Sequence, residues 1–302
     1  MVPGRASVIV PCFNASRTLA AAIDSALAQT HPDTEVMVVD DGSTDGSGEI
    51  AESYGERIVL VRQPNRGLSA ARNAGVAASS GEFLTLLDAD DLLLPECVAR
   101  RVRMLQEDPG LGLVAGYYRE IDAEGRPRDR VPELRRVGAL PPFRQAVRRN
   151  WGPPVGWTFR REAFERCGGF DPLLRSCEDW DFVIRVASRY AIGYDPSVQV
   201  CYRVSEGQMS SNFERMLDAA RRVRLKNAAY AQRPLQYRWD ALWGQFELGR
   251  RILFASLFQG GPGRLGRTAR LVARHPHLLW VGALSAASFL VGKRPSSGGS
   301  HG

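Results

Sequence analysis

Short continuous apolar runs alternate with stretches of helical spacing from Val8 to Ala115. Val8-Ile-Val10, Val36-Met-Val-Val39, Ile58-Val-Leu-Val61, Phe83-Leu-Thr-Leu-Leu87 and Leu113-Val-Ala115 read as strands, Val36 to Val39 as a buried one. Between them Leu19, Ile23, Ala26 and Leu27 recur on one helix face, with Asn14 and Ser16 as candidate caps. Ser47 to Tyr54 and the alanine-rich Leu68 to Ala78 read as helices, and Pro95 opens another with Val98, Val102 and Leu105 on one side. Strands alternating with helices predict an α/β fold: a doubly wound, mostly parallel sheet with helices on both faces. Such sheets bind ligands beyond the carboxyl ends of their strands. Asp40/Asp41 and Asp88/Asp90/Asp91 each follow a predicted strand, which makes those ends the expected site.

The second half is less regular. Gly125 to Asn150 is rich in Arg and Pro with weak periodicity, and reads as an irregular segment beside the acceptor. A helix is predicted over Glu178 to Tyr190, with Trp180, Val183, Ile184 and Ala187 inward. Two more follow, Phe213 to Ala231 and Leu235 to Phe258. Residues 278–292 are apolar but number 15, against the roughly 20 that span a bilayer, and Arg274, Lys293 and Arg294 flank them. They read as an interfacial or buried helix. The expected organisation is an α/β domain over 5–210, a helical basic extension over 211–292 and a disordered tail over 293–302.

Composition changes this picture little. Hydrophobic residues make up 44% and charged residues 24% of the 302, which suits a globular chain and excludes extended disorder. The charge distribution says more. From Asn212 onward there are 15 Lys/Arg against 4 Asp/Glu, and before it 25 against 29. The C-terminal third therefore expects an anionic surface as partner, while the site lies in an acidic domain. The cysteines Cys12, Cys97, Cys167, Cys177 and Cys201 show neither zinc nor redox spacing, so free thiols in a reducing cytoplasm are expected. The four histidines form no metal pattern. Gly261-Pro-Gly263-Arg-Leu-Gly266 follows a predicted helix rather than a strand and reads as a linker.

Candidate chemistry rests on four segments. Asp88-Ala89-Asp90 at a strand end suits Mg²⁺ or Mn²⁺, which take carboxylate oxygens and keep waters and substrate phosphates. The alternative is a turn in which Asp91 caps the Pro95 helix. In Val38-Val-Asp-Asp-Gly-Ser-Thr-Asp45 one carboxylate can meet a nucleobase or ribose, Gly42 permits the tight turn, and Asp45 can cap. Arg66 and Arg72 near a helix start favour anions, or else form a solvated face. Cys177-Glu178-Asp179-Trp180-Asp181 offers a general base, although acids at a helix start also answer the macrodipole.

Taken together these motifs resemble the family 2 glycosyltransferases of the GT-A fold. Ser7-Val-Ile-Val-Pro-Cys-Phe-Asn14 is similar to the family's opening strand and donor loop, and Val38 to Asp45 to its uridine-binding acidic loop. Asn65 to Asn73 resembles its following helix, Leu86 to Asp91 its Asp-x-Asp metal motif, and Gly168-Gly-Phe-Asp171 with Glu178-Asp179 its acceptor-side acidic motif. The resemblance covers about residues 7 to 210. It implies an inverting, metal-dependent transferase acting on a nucleotide-sugar donor, with UDP as the expected nucleotide. The acceptor is then a sugar or lipid-linked hydroxyl in cell-surface polysaccharide or glycoconjugate synthesis. By the same resemblance Pro11, Phe13, Asn14, Asp40, Asp41, Gly67, Arg72, Asp88 and Ala89 hold the donor, Asp90 ligates the divalent cation, and Asp179 is the base. Trp157, Glu178, Trp180 and Arg203 fall on the acceptor side, the tryptophans as sugar-stacking platforms or else as core. Many relatives carry a histidine after the Tyr-Arg pair. Ser205 stands there in this chain, leaving Arg203, Glu206 or Gln208 to substitute. A nucleotidyltransferase needs a basic phosphate loop near the N-terminus, which Pro11-Cys-Phe-Asn14 does not offer. A docking protein without catalysis leaves the ordered acidic motifs unexplained. No nucleic-acid fold is evident. The expected location is cytoplasmic, with two readings of the basic C-terminal third: peripheral attachment to the inner membrane face, or a helical pack that covers the sheet.

Overall fold

The computed structural model describes residues 1–128, 140–205, 213–231, 234–258, 268–269 and 272–273. Eight strands form one sheet: β1 (Val2–Cys12), β2 (Thr34–Asp40), β3 (Val59–Arg62), β4 (Gly81–Leu86), β5 (Leu92–Leu93), β6 (Leu111–Ile121), β7 (Thr158–Arg160) and β8 (Ala191–Arg203). Their order is β3-β2-β1-β4-β7-β6-β8-β5. The pairs β3-β2, β2-β1, β1-β4 and β6-β8 are parallel, whereas β7 and β5 run antiparallel to their neighbours. This is the mixed, mostly parallel α/β sheet expected.

Side chains alternate across that sheet. Val8 and Val10 face a core shared with α1 (Leu19–Leu27) and α4 (Cys97–Glu107). Ile9, Leu84 and Leu86 face the opposite core, with α3 (Leu68–Ala78), α5 (Pro142–Arg148), α6 (Arg161–Cys167) and α7 (Glu178–Ala187) in the helical layer on that side. A short α2 (Ser47–Glu52) follows the β2 loop. Covering both faces makes the central parallel strands β1, β2 and β4 continuous apolar runs, whereas edge strand β3 is exposed at both of its ends.

The sequence reading and the structure differ in several places. Neither Asn14 nor Ser16 caps α1, which starts after Thr18 without a side-chain cap. The Asn14 side-chain Oδ1 instead accepts from Thr44 N at 2.8 Å, fastening the β1 loop to the β2 loop. The segment from Gly125 to Asn150 contains α5 rather than only irregular chain, and residues 129–139 within it lie outside the described residues. β5, β7, β8 and α6 were not foreseen.

The helices α8 (Phe213–Lys226) and α9 (Pro234–Phe258) belong to the same core as α7: Ala219, Ala220, Val223 and Tyr237 pack with Trp180 and Val183. Polar clamps reinforce the join. Asp240 of α9, almost fully buried, meets Arg144 at 2.7 Å and Arg148 at 2.6 Å on α5. Arg224 of α8 lies 4.5 Å from the Trp180 ring centroid and donates to the Val147 carbonyl at 2.9 Å. Part of the C-terminal positive charge is thus spent inside the molecule. Among the described residues no helix is long and apolar enough to cross a membrane. Residues 278–292, Gly261–Gly266 and the tail over 293–302 lie outside the described residues.

Candidate functional site

β1, β2 and β4 end together, and the loops beyond them open into a cleft of about 810 Å³. Pro11, Phe13, Asn14, Asp41, Gly67 and Arg72 line one side, and Asp88, Ala89 and Asp90 form its floor. Asn150, Cys177, Glu178, Asp179, Tyr118 and Tyr202 line it as well, Glu178 in contact with Arg72.

The β2 loop is built around its two carboxylates. Asp41 accepts from Gln63 Nε2 at 2.7 Å, Arg66 N at 2.9 Å and Gly67 N at 2.8 Å. It therefore shapes the start of α3 from inside the cleft wall. Asp40 points away: it accepts from Ser43 N at 2.9 Å and tucks against Gly48, buried below the loop. Asp40 does not line the cleft, so its expected place beside the base is corrected. Gly42 has φ +80°, and a Cβ there would stand 2.8 Å from Asn65 N, so the turn requires glycine. Asp45 accepts from Ser47 N at 3.1 Å and Ser16 N at 2.9 Å, joining this loop to the one after β1 as it opens α2.

Arg72 links the remaining acidic segments. Its side chain is buried, with one guanidinium nitrogen 2.7 Å from Asp88 Oδ1 and another 2.9 Å from Glu178 Oε1. Burial works against its charge, but Asp88 and then Glu178 outweigh that and hold its pKa above the usual value. The Arg72 ion pairs thus tie the β4 loop to the start of α7, 106 residues from Arg72 in the chain. A buried charge held between two carboxylates is costly to break from either side.

Three carboxyls sit where ionisation is hard. Burial and then the Asp88 charge push Asp90 up to about 6. Burial and then the Glu178 charge push Asp179 up to about 7, opposed by a 3.1 Å hydrogen bond from the Asn150 amide. Asp91 is raised well above the usual range by burial and then by Asp90 and Asp88. Its Oδ1 accepts from Arg203 N at 2.6 Å, and it does not cap α4.

Three acceptor-side expectations are corrected. Trp157 and Trp180 are 1% and 2% exposed and belong to the core. The Trp180 indole N–H is spent on the Ala146 carbonyl at 2.6 Å. Neither ring offers a face to a sugar. Arg203 lies beneath the β4 loop, donating to the Asp90 carbonyl at 2.7 Å and the Asp122 carbonyl at 2.9 Å. It braces the loop instead of meeting an acceptor. Ser205 is exposed, and Glu206 and Gln208 lie outside the described residues. Sequence reasoning missed Asn150, Tyr118 and Tyr202. Only the proximity of Asn150 to the predicted irregular segment's end hinted at a site role.

The donor set fits a divalent cation that completes its shell with substrate. Among the described residues five carboxylates (Asp41, Asp88, Asp90, Glu178 and Asp179) line the cleft, and Arg72 is the one cationic residue that does. Among the described residues no group of three or more side chains is arranged to hold a metal alone. One or two carboxylates with phosphate oxygens and water are what Mg²⁺ accepts.

Comparison with known proteins identifies the family and the fold. Residues 7–168 match the Glycosyl transferase family 2 model, and residues 156–239 a Glycosyltransferase like family 2 model. An uncharacterised glycosyltransferase of Nostoc sp. is 35% identical over 55% of this chain and 54% of its own length. The uncharacterised glycosyltransferase EpsJ of Bacillus subtilis is 35% identical over 58% of this chain, and 54% of its own length is matched. The chain spans about half the length of these two relatives. Among solved structures, TarS of S. aureus in complex with UDP-GlcNAc superposes with a TM-score of 0.67 at 21% identity, covering 86% of this chain and 77% of that one. The mannosyltransferase PcManGT of Pyrobaculum calidifontis, in complex with GDP-Man and Mn²⁺, gives 0.62 at 21% identity over 96% and 88%. These two share the GT-A architecture, and the match over more than half the sequence decides the family: the chain belongs to glycosyl transferase family 2.

Proposed function

We propose that the protein transfers a sugar from a nucleoside diphosphate sugar to an acceptor hydroxyl with inversion at the anomeric carbon. The observation that carries this reading is the cleft that Arg72 holds together. The Arg72 ion pairs to Asp88 and to Glu178, the neighbour of Asp179, join segments that line one cavity. Asp179 takes the proton of the acceptor hydroxyl as its oxygen bonds to the anomeric carbon. The carbon–oxygen bond to the diphosphate breaks, and its electron pair leaves with the nucleoside diphosphate. A carboxyl near 7 is matched to that task, because half of it is ionised at neutral pH and it still holds a proton well. The departing diphosphate brings negative charge into a cleft already rich in carboxylates. A Mg²⁺ or Mn²⁺ at Asp90 would neutralise it as a Lewis acid. Pro11, Phe13 and the Asp41-shaped wall receive the nucleobase, and the acidic β2 loop supports uridine. The acceptor is a sugar or lipid-linked hydroxyl of a glycoconjugate or cell-surface polysaccharide.

A panel of UDP-, GDP- and TDP-sugars, assayed for binding and slow hydrolysis with and without Mn²⁺, tests this. Cation-dependent release of UDP from one UDP-sugar is expected. Silence across the panel, or pyrophosphate released from a nucleoside triphosphate, would sink the transferase reading.

A further inference from the structure

α5 is seven residues long, too short to hold its own end, and other helices hold it. The last four carbonyls of a helix have no partner inside it. In α5 the first of them, at Gln145, accepts from Arg149 N at 3.0 Å and closes the last turn. The other three accept from side chains of α7 and α8. Trp180 Nε1 meets the Ala146 carbonyl at 2.6 Å, Arg224 Nε the Val147 carbonyl at 2.9 Å, and Arg224 Nη2 the Arg148 carbonyl at 3.2 Å. Trp180 takes the carbonyl furthest from Asn150, and Arg224 takes the two nearest.

The Arg224 guanidinium is built into this place. Its side chain is buried, its Cζ stands 4.5 Å from the Trp180 ring centroid, and its third nitrogen donates to Gln245 Oε1 on α9 at 2.7 Å. α9 makes room for it with Gly244, where a Cβ would stand 2.6 Å from Arg224 Nη2. Among the described residues no carboxylate pairs with it, and burial pulls its pKa down to about 10. A buried cation answered only by carbonyls, an amide and an indole is costly, and an apolar side chain would fill the same space at less cost. Packing alone does not account for it.

Its position does. Two residues past Arg148, Asn150 Nδ2 donates to Asp179 Oδ2 at 3.1 Å, while Asn150 Oδ1 accepts from Trp151 N at 2.7 Å. Asp179 Oδ1 accepts from Trp180 N at 2.7 Å. One oxygen of the carboxyl is thus held by α7 itself, and the other by whatever holds the end of α5.

We propose that Arg224 is a positioning residue for the Asp179 carboxyl: by fastening the Val147 and Arg148 carbonyls against Trp180, it keeps Asn150 on Asp179 Oδ2. α8 and α9 then belong to the working cleft, although neither supplies a reacting group. That Asp179 is the base rests on the transferase reading; the linkage from Arg224 through Asn150 to Asp179 does not.

The test is a cycle of Arg224→Lys and Asn150→Ala in the full chain, with two readouts. An ammonium cannot fork to two successive carbonyls while stacking on an indole. The side-chain amide of Asn150, assigned in ¹⁵N-labelled protein by its loss in Asn150→Ala, should move toward the position of a free amide in Arg224→Lys. Transfer at pH 7 should fall about two- to fivefold with donor KM unchanged, and Arg224→Lys should cost nothing more in the Asn150→Ala background. Arg144→Met breaks a pair with Asp240 nearer the start of α5. It should lower the thermal midpoint and leave the amide signal in place. Should Arg224→Lys not fold, Gln245→Met releases the guanidinium from α9 and is read in the same way. An unmoved Asn150 amide overturns the proposal, as do equal losses of transfer in the two backgrounds, or an amide that Arg144→Met moves as far. A moved amide in a protein inactive on every nucleotide sugar would remove the transferase reading and leave the linkage in place.

Discussion

The loop after β2 and the loop after β4 both carry adjacent aspartates, yet the fold uses them in opposite ways. Asp41 is met by three donors from its own surroundings, and Asp40 is folded under its turn. Asp90 in the β4 loop is pushed up toward neutrality by burial and then Asp88, and Asp179 on α7 by burial and then Glu178, although Asn150 Nδ2 and Trp180 N donate to it. A carboxylate surrounded by N–H groups is architecture, because its charge is already answered. A desolvated carboxylate whose donors do not outweigh burial and like charge is held at a cost, and such sites are where proton transfer and cation binding occur. The contrast predicts which substitutions will remove activity and which will remove stability.

The largest effect is expected at Asp179. Asp179→Asn keeps the shape and the Asn150 contact but cannot accept the acceptor's proton. Transfer should fall about a thousandfold, with donor affinity unchanged. Product formation measured beside donor titration checks this, and a variant within a few-fold of the parent would remove Asp179 as the base.

Next comes a crossed pair. Asp41→Ala strands the Arg66 and Gly67 amides, and stability should fall by about 2–3 kcal/mol. Asp90→Asn removes a carboxylate that repels Asp88, so its unfolding midpoint should match or exceed the parent's while Mn²⁺-dependent activity is lost. Denaturant unfolding and activity measured on both proteins decide the matter. If Asp41→Ala is as stable as the parent, the division into architecture and chemistry fails.

The two loops were equally visible in the sequence, since each follows a continuous apolar run that a buried parallel strand requires. Their different use was not visible. It depends on Gln63, Arg66 and Gly67 reaching Asp41, and on Arg72 bridging two motifs far apart in the chain. The far wall was harder still. α5 begins at Pro142 after Pro141 and carries arginines that α9 neutralises through Asp240, so its own segment shows no clean amphipathic face. β7 and β5 are three and two residues long, too short for any period to register. Periodicity did place Trp180 inward. A sugar-stacking role came only from resemblance, and the buried indole excludes it.

A smaller effect concerns Asn150. Its amide lowers the Asp179 pKa against burial and Glu178. Activity should rise with pH through about 7 in the parent, because the base works deprotonated. In Asn150→Ala the acid limb should move to higher pH, costing about two- to fivefold at pH 7 and little at pH 9. A pH-independent loss would make Asn150 a packing residue only. Stability runs the other way. The folded protein holds a proton that the unfolded chain releases at the ordinary 3.8, so this contribution is full below that pH and lost as pH rises through about 7. Thermal midpoints across that window should fall more steeply in the parent than in Asp179→Asn.

The smallest expected change on activity is at Trp180, one residue from the base. Trp180→Phe loses the hydrogen bond to the Ala146 carbonyl and part of the surface on which Arg224 stacks. That should cost about 1–2 kcal/mol of stability. The ring turns into the core with Val183 and Ala220, away from the cleft, so the acceptor KM should stay where it is. Asp179 is held by Asn150 and by the α7 backbone, neither of which the substitution touches. If the acceptor KM rose while donor KM and folding were unchanged, the indole would be meeting the sugar after all. The acceptor wall would then have to open between the structure described and the working complex.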